Sequence, residues 1–381
     1  MSPDVFQEVS SKNWFSRIGN AIVGAIIGFL LFIVAMPLLF WNEGRAVTTY
    51  KSLQEASGIV VTVPADAIDP AHEGKLVHLT ADATATGPAV DDELGVSMEA
   101  IWLKRAVEMY QWVEHKDSKT EKKLGGGEET VTTYRYEKEW SDDAEDSSDF
   151  KHPEGHGNPS QWPFESEDFP APGVHAGAFS LAEVLVNQMN DYEDVAVTAA
   201  QLPESLRPPF KDANGGLYLG PDAASPQVGD VRIQFSVVKP GPVSIIARQV
   251  GSTLDSYQTK AGDNIALIES GAHTSAEMIK SAQDTNKIIT WLIRAAGFFL
   301  MFIGLSMVMK PLSVLADVIP FIGNMVEFGT GLIAFIAALV TSLVVIAIAW
   351  IAVRPVLGVS LLVAAVASAV LLKRKKKPAA A

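Results

Sequence analysis

Apolar residues fall in four long runs, one near the start of the chain and three in its last quarter, with a polar stretch of more than two hundred residues between them. The runs cover residues 19–41, 288–309, 328–353 and 356–372. Each run is long enough to cross a hydrocarbon core as a helix. The first ends without the small-residue site at which a signal peptide is cleaved, so it reads as a permanent span. The pattern predicts a four-span membrane protein.

Basic residues near the ends of the spans predict the orientation, because Lys and Arg are retained on the cytoplasmic side. Lys12 and Arg17 precede the first span, Lys310 follows the second, and a run of five cations at 373–377 follows the fourth. We therefore expect both termini, 1–18 and 373–381, to be cytoplasmic. The terminal cations also suit anionic lipid headgroups, although they act first as a topology anchor.

The segment 310–327 is too interrupted by polar residues for a span and too apolar for a free loop. We interpret it as a kinked interfacial helix on the cytoplasmic side.

The stretch 42–287 is expected outside the cytoplasm, and short β-branched runs separated by Gly, Pro and Asp predict strands there. The charged segment Lys116–Thr130 reads as a hairpin loop, and 231–238 with 243–250 as a hairpin. A turn-rich region near residue 203 suggests two subdomains, about 42–202 and 203–287. The predicted fold class is α+β, a four-helix transmembrane bundle with a large β-rich extracytoplasmic domain inserted between spans 1 and 2.

Charge separates the two parts of the chain. The stretch 42–287 holds 40 acidic and 20 basic residues, a net charge of −20, whereas the rest sums to +6. Nucleic acid is therefore not expected as a partner, since phosphate binding needs clustered cations. The chain has no cysteine, which excludes disulfides and thiolate chemistry. These features favour a bacterial inner membrane.

Several separated motifs resemble the transmembrane protein 43 family, also called LUMA, in order along nearly the whole chain. The residues that carry the resemblance, and for which we expect structural roles, include Asn42, Glu43, Gly44, Arg45, Tyr110, Trp112, His156, Asn158, Arg294, Arg354 and Pro355. The resemblance implies four spans with a large loop after the first, and self-association. For a eukaryotic member it implies the endoplasmic reticulum or inner nuclear membrane as the location. In animals it also implies partners such as emerin and lamins, which mean little for a bacterial member. It supplies no catalytic residues.

Within the spans, Arg294 is costly if it faces lipid, so we expect it at the interface or paired with a carboxylate such as Glu43. Small residues along the third span, among them Gly331, Ala338 and Ser342, allow close helix packing. Two interpretations stay open for that face, which are packing within the bundle and self-association.

Candidate chemistry is sparse. His152 and His156 are the only metal candidates, and the prolines and glycines around them favour an ordinary hydrogen-bonded loop. No hydrolase, Walker or zincin motif is present, so we name no catalytic residue and no cofactor. The sequence favours a non-enzymatic membrane scaffold that forms homo-oligomers and binds lipids and unidentified membrane or envelope proteins. A channel or transporter with a pore between subunits is the alternative, and an accessory to an enzyme on another chain is a third.

Overall fold

The computed structural model describes residues 4–353. The predicted fourth span at 356–372, the turn residues Arg354 and Pro355, and the basic tail lie outside the described residues.

Four helices occur in the described range, and three of them are long. Their bounds are α1 Trp14–Ile59, α2 Glu183–Val186, α3 Ser275–Ala316 and α4 Pro320–Val353. Helices α1, α3 and α4 are long and apolar enough to cross a membrane, and they contain the first three predicted spans. Asn13 caps α1 by accepting a hydrogen bond from the Ser16 amide at 2.8 Å.

The segment 310–327 differs from the expected single interfacial helix. Its first part completes α3, residues 317–319 form a turn, and Pro320 begins α4. Proline suits the first turn of a helix, because the amide that it lacks has no partner there. The exposed apolar side chains expected at an interface are present, namely Leu312, Leu315, Val318, Ile319, Phe321 and Ile322.

The strands in the described range are mostly short. They are β1 Asp4–Lys12, β2 Val61–Thr62, β3 Leu76–Thr84, β4 Ala89–Asp91, β5 Val96–Met98, β6 Trp102–Lys122, β7 Glu128–Ser141, β8 Glu167–Pro170, β9 His175–Ala176, β10 Phe179–Leu181, β11 Glu193–Val195, β12 Phe210–Ala213, β13 Gly216–Leu219, β14 Val231–Val238, β15 Gly241–Val250, β16 Thr253–Asp255, β17 Tyr257–Gln258, β18 Asn264–Ile265 and β19 Leu267–Ser270.

Most strands belong to two sheets. One sheet has the order β1-β7-β6-β14-β13-β12, with β11 beside β14 and β8 beside β6. The other has the order β19-β15-β16-β10-β9-β3-β2, with β15 also paired to β3. Strands β14 and β15 therefore do not form the expected hairpin, because each pairs within a different sheet.

The suggested division near residue 203 is not found. Strand β6 from the first half pairs with β14 from the second, and β3 pairs with β15 in the same way. Buried and partly exposed side chains alternate along β6, so this pairing buries apolar surface on one face. Leu103, Val107 and Met109 are buried, whereas their neighbours in the chain are not.

The hairpin of β6 and β7 is longer than expected. Residues predicted as a loop continue both strands, and only 123–127 form the turn. Threonine and serine hydroxyls hydrogen bond across the strands, at 3.1 Å for Ser118–Thr132 and 2.9 Å for Thr120–Thr130. Cross-strand pairs of this kind stabilise a sheet even where its side chains are charged and exposed.

The described residues divide into two compact units. Unit 1 contains 4–8, 52–118 and 132–280, and unit 2 contains 9–51, 119–131 and 281–353. Unit 1 holds most of both sheets and two apolar cores, one around Val77, Ile245 and Phe179 and one around Val107, Ile233 and Phe235. Unit 2 holds the long helices and the tip of the β6–β7 hairpin.

Candidate functional site

In unit 2 a buried carboxylate joins the three long helices. Glu43 of α1 is 2% exposed and accepts two hydrogen bonds from Arg294 of α3, at 2.6 and 2.7 Å. Trp350 of α4 donates its indole N–H to the same carboxylate at 2.7 Å. The Arg294 guanidinium also lies 4.8 Å from the ring centroid of Trp291. The pairing expected for Arg294 is thus present, and a third helix takes part in it.

Amide and hydroxyl groups continue this arrangement between α1 and α3. Asn42 donates to the Thr290 carbonyl at 3.1 Å, and Arg45 donates to the side chains of Asn286 and Thr290 at 3.0 and 3.1 Å. Asn286 in turn donates to the Ala46 carbonyl. We call Asn42, Glu43, Arg45, Asn286, Thr290, Arg294 and Trp350 the polar layer.

Below the polar layer, α1 and α3 approach until their backbones touch. A Cβ atom on Gly28 would lie 2.5 Å from the Gly304 carbonyl oxygen, and one on Gly304 would lie 2.6 Å from the Gly28 carbonyl oxygen. Both positions therefore require glycine. A core of Ala35, Leu39, Met301 and Ala338 joins α4 to the other two helices.

A second set of charges lies at the opposite end of the same helices. Arg17 of α1 is 5% exposed and contacts Asp317, which follows α3, at 2.5 Å. It also contacts Glu128 at 2.9 Å and donates to the Gly126 carbonyl at 2.5 Å, both at the hairpin tip. Gly126 has φ of +80°, a conformation that glycine adopts readily.

Lys122 of the hairpin tip lies 2.9 Å from Asp317 and 2.7 Å from Glu327 of α4. Burial lowers the pKa of Lys122, but the hydrogen bonds to these carboxylates outweigh it, so the pKa is raised above its usual value. Lys310 also contacts Glu327. We call Arg17, Lys122, Glu128, Lys310, Asp317 and Glu327 the ion cluster.

The two sets of polar residues are separated by about one bilayer thickness. Arg17 and Glu43 are about 39 Å apart along α1 at the rise of an α-helix. Glu327 and Trp350 are about 35 Å apart along α4 on the same basis. A hydrocarbon core with its interfaces measures about 40–45 Å. The side chains between the layers are mostly apolar, and many of the apolar ones are exposed, as lipid-facing residues would be.

In unit 1 aromatic side chains surround the two metal candidates, His152 and His156. The His156 ring stacks on Tyr136 with centroids 4.1 Å apart and meets Trp112 edge-on at 4.7 Å. His156 Nδ1 lies 2.8 Å from the His152 carbonyl oxygen. Burial and a hydrogen bond to Glu114 raise the pKa of Tyr136 to about 12. We call Phe6, Trp112, Tyr134, Tyr136, Phe150, His152 and His156 the aromatic cluster.

Comparison with known proteins identifies the relatives of this chain. The profile of the transmembrane protein 43 family matches residues 109–355. Mouse transmembrane protein 43 is 33% identical over 90% of this chain and 87% of its own length. The human protein is 32% identical over 97% of this chain and 94% of its own. The chain belongs to the transmembrane protein 43 family. The homolog from Drosophila melanogaster is 32% identical, over 89% of this chain. No solved structure matches the chain.

The transmembrane protein 43 motif residues serve these arrangements. Asn42, Glu43 and Arg45 build the polar layer, while Gly44 has open space beside it. Asn158 holds the loop to β6, because its amide accepts from the Trp112 N–H at 2.8 Å and donates to the Trp112 carbonyl at 2.9 Å.

Another motif residue, Tyr110, packs against Trp140 with ring centroids 5.3 Å apart.

The ion cluster sets a condition on the topology of this family member. The predicted topology puts residues 17 and 317 on the cytoplasmic side and residues 122 and 128 on the other. Ion pairs do not form across a hydrocarbon core about 30 Å thick. If the ion cluster is present when the chain is embedded in a bilayer, these four residues lie on the same side of the membrane. Which side is cytoplasmic stays a prediction, whereas the placement of residues 122 and 128 opposite to residues 17 and 317 is incompatible with the contacts of this conformation.

The small residues of α4 divide into two groups. Ala338 and Ser342 are buried within the chain, so here they pack between helices and present no face to a second copy. Gly331 is different, because a Cβ atom built on it meets nothing within 4 Å.

The metal candidates are not gathered into one site. Within residues 4–353, His152 and His156 do not belong to a group of three metal-ligating side chains; the group found there is His115, Glu137 and Glu139. The arrangement is already an ion pair, since His115 lies 2.8 Å from Glu139 and all three groups are partly exposed.

The ion cluster is the part that sequence reasoning missed. Asp317 is one of the polar residues that interrupt the apolar segment 310–327 in the sequence, yet it is fully buried. A lone carboxylate among apolar residues is a signal for a buried cation partner.

Proposed function

We propose that this protein is a non-enzymatic, multi-pass membrane scaffold that self-associates and binds partner proteins or lipids. The observation that carries the proposal is the polar layer together with the contact between Gly28 and Gly304. These contacts fix three helices against one another with their charges paired. A bundle whose helices are fixed in this way suits a rigid membrane anchor for the β-rich unit 1. A transporter needs helices that move relative to one another.

Lipid binding is supported by a groove in unit 2. A cavity of about 260 Å³ is lined at its polar part by three cations, Lys12, Arg17 and Lys310, and one carboxylate, Glu128, and at its apolar part by residues such as Gly24 and Met307. Cations beside apolar surface suit an anionic phospholipid, whose headgroup and acyl chain need the two kinds of contact.

Self-association is supported by the open space beside Gly331, which lines a cavity between α3 and α4 that a helix of a second copy could enter. The sharpest test is native mass spectrometry of the full chain in lipid nanodiscs, recording subunit number and co-purifying proteins and lipids. We expect a discrete homo-oligomer. Gly331→Leu should lower the subunit number, because its Cβ atom meets nothing within 4 Å and the rest of the side chain fills the space that a second helix would enter.

Gly19→Leu is the matched control, since Gly19 of α1 also has open space beside it. It should leave the subunit number unchanged. A monomeric wild type, or equal behaviour of the two variants, would contradict self-association through this face.

A channel or transporter formed between subunits is the second candidate. One observation favours it, a cavity of about 470 Å³ between α3 and α4 that is lined in part by Ser306, Ser313 and Thr330. Polar groups that line a path can replace part of the hydration shell of a permeating solute. Selective ion flux through liposomes containing only the pure protein would replace the scaffold proposal with this one.

A further inference from the structure

The outer edge of β7 carries an exposed strand from the chain's own N-terminus. Strand β1 lies beside β7 at the end of its sheet. No residue of β1 is fully buried, and Phe6, at 37% exposed, is its main apolar contact, so little apolar burial besides that ring holds the strand there. An open strand edge offers unpaired backbone groups, and a strand that covers such an edge mainly by hydrogen bonds can be exchanged.

The contacts of residues 4–8 repeat at every second position, as one face of a strand requires. Asp4 faces His156, with oxygen and nitrogen 3.6 Å apart. Phe6 stacks on the His152 ring at 4.2 Å. Glu8 lies 3.0 Å from the Lys151 ammonium. The pattern is a carboxylate, an aromatic ring and a second carboxylate at alternate positions.

The receiving surface is held together without β1. The Tyr136 hydroxyl donates to Glu114 at 2.5 Å and accepts from the His152 amide at 2.9 Å. The Lys151 amide also donates to Glu114, at 2.6 Å. These bonds position His152 and Lys151 before any strand arrives. A preformed surface with a loosely held occupant has the character of a binding site.

We propose that the β7 edge, with Lys151, His152 and His156, is a binding site for an extended peptide with an aromatic residue between two carboxylates at alternate positions. Residues 4–8 fill it here as an internal ligand. The inference deepens the proposed scaffold by naming the chemistry of a partner. In a bilayer that separates residues 4–8 from β7, the site is open to such a partner.

The test uses the full chain in nanodiscs and a fluorescent peptide with the sequence of residues 2–10. Binding is followed by anisotropy. The variant Phe6→Ala should bind the peptide saturably and on the order of tenfold more tightly than wild type, because it lacks the aromatic contact of the competing internal ligand. Equal affinity for the two chains would overturn the occupancy by residues 4–8.

A charge exchange identifies the site. Lys151→Glu, introduced into Phe6→Ala, should weaken binding several-fold through repulsion of the peptide's Glu8. A peptide that carries Glu8→Lys should bind this variant better than the original peptide does. Lys239→Glu is the matched control, since Lys239 forms an exposed ion pair elsewhere in unit 1.

Absence of saturable binding to Phe6→Ala, or a charge exchange that changes nothing, would overturn the site. This result is distinguishable from failure of the scaffold proposal, because subunit number is measured without the peptide.

Discussion

The polar layer and the ion cluster lie at opposite ends of the same three helices, and they are built in different ways. The polar layer consists only of residues from α1, α3 and α4. The ion cluster adds Lys122 and Glu128 from a hairpin far away in the sequence. The first can form as soon as the helices associate, whereas the second also needs a folded hairpin. The two ends should therefore respond differently to mutation and to the membrane.

The largest effect is expected in the polar layer. Arg294→Met leaves Glu43 buried without a cation, which should cost about 3–5 kcal/mol of unfolding free energy. The double variant with Glu43→Gln should recover much of this loss, because no unpaired charge remains. Unfolding in detergent micelles measures both.

Lys287→Met is the control in the same helix, because it breaks the exposed pair with Asp284. Its effect should stay below about 1 kcal/mol. Equal losses for the two single variants would mean that the buried pair does not hold the helices.

The next effect concerns the close contact of α1 and α3. Gly28→Ala should destabilise the protein by about 1–3 kcal/mol, because the added methyl group meets the Gly304 carbonyl. Gly19→Ala, in the same helix with open space beside it, should stabilise slightly through helix propensity. If both substitutions had the same sign of effect, the helices would not touch at Gly28.

The smallest effect is a pH dependence of β1. The hydrogen bond and the charge of Lys151 lower the pKa of Glu8, which also faces Tyr134 and His152. A lowered pKa adds stability that is fully present above the usual value near 4.5, and this stability is lost as the pH falls from there through the lowered pKa of the folded state. Hydrogen-exchange protection of residues 4–8, corrected for intrinsic rates, should therefore decrease below pH 4.5. Glu8→Gln should abolish that change; a change that persists would place its origin elsewhere.

The sequence was informative where a local pattern of residues, or the depth of a residue in the membrane, decides the structure. Apolar runs located three helices, the alternation of apolar and polar residues located β6, and the cost of a buried cation predicted the pairing of Arg294 with Glu43. Prediction from the sequence failed where segments that are distant in the chain meet. Nothing local indicates that Val231–Val238 and Gly241–Val250 join different sheets, and a charged segment such as 116–122 reads as a loop until its partner strand is known.

The ion cluster escaped prediction for the same reason. From the sequence, Arg17 is a basic residue that predicts the cytoplasmic side of the first span. Its partners Asp317 and Glu128 lie about 300 and 111 positions away in the chain. Charge patterns near spans report the side of a membrane only when no such contact competes.

Side-specific labelling tests most directly whether the ion cluster forms in the membrane-embedded protein. Single cysteines at Phe15 and Leu124 are introduced into this cysteine-free chain, and proteoliposomes are treated with a membrane-impermeant maleimide. Phe15 and Leu124 are 77% and 85% exposed, so both are accessible at the ion-cluster end. We expect both cysteines to label from the same side of the membrane. Labelling of the two from opposite sides would contradict the ion cluster as a feature of the membrane-embedded protein.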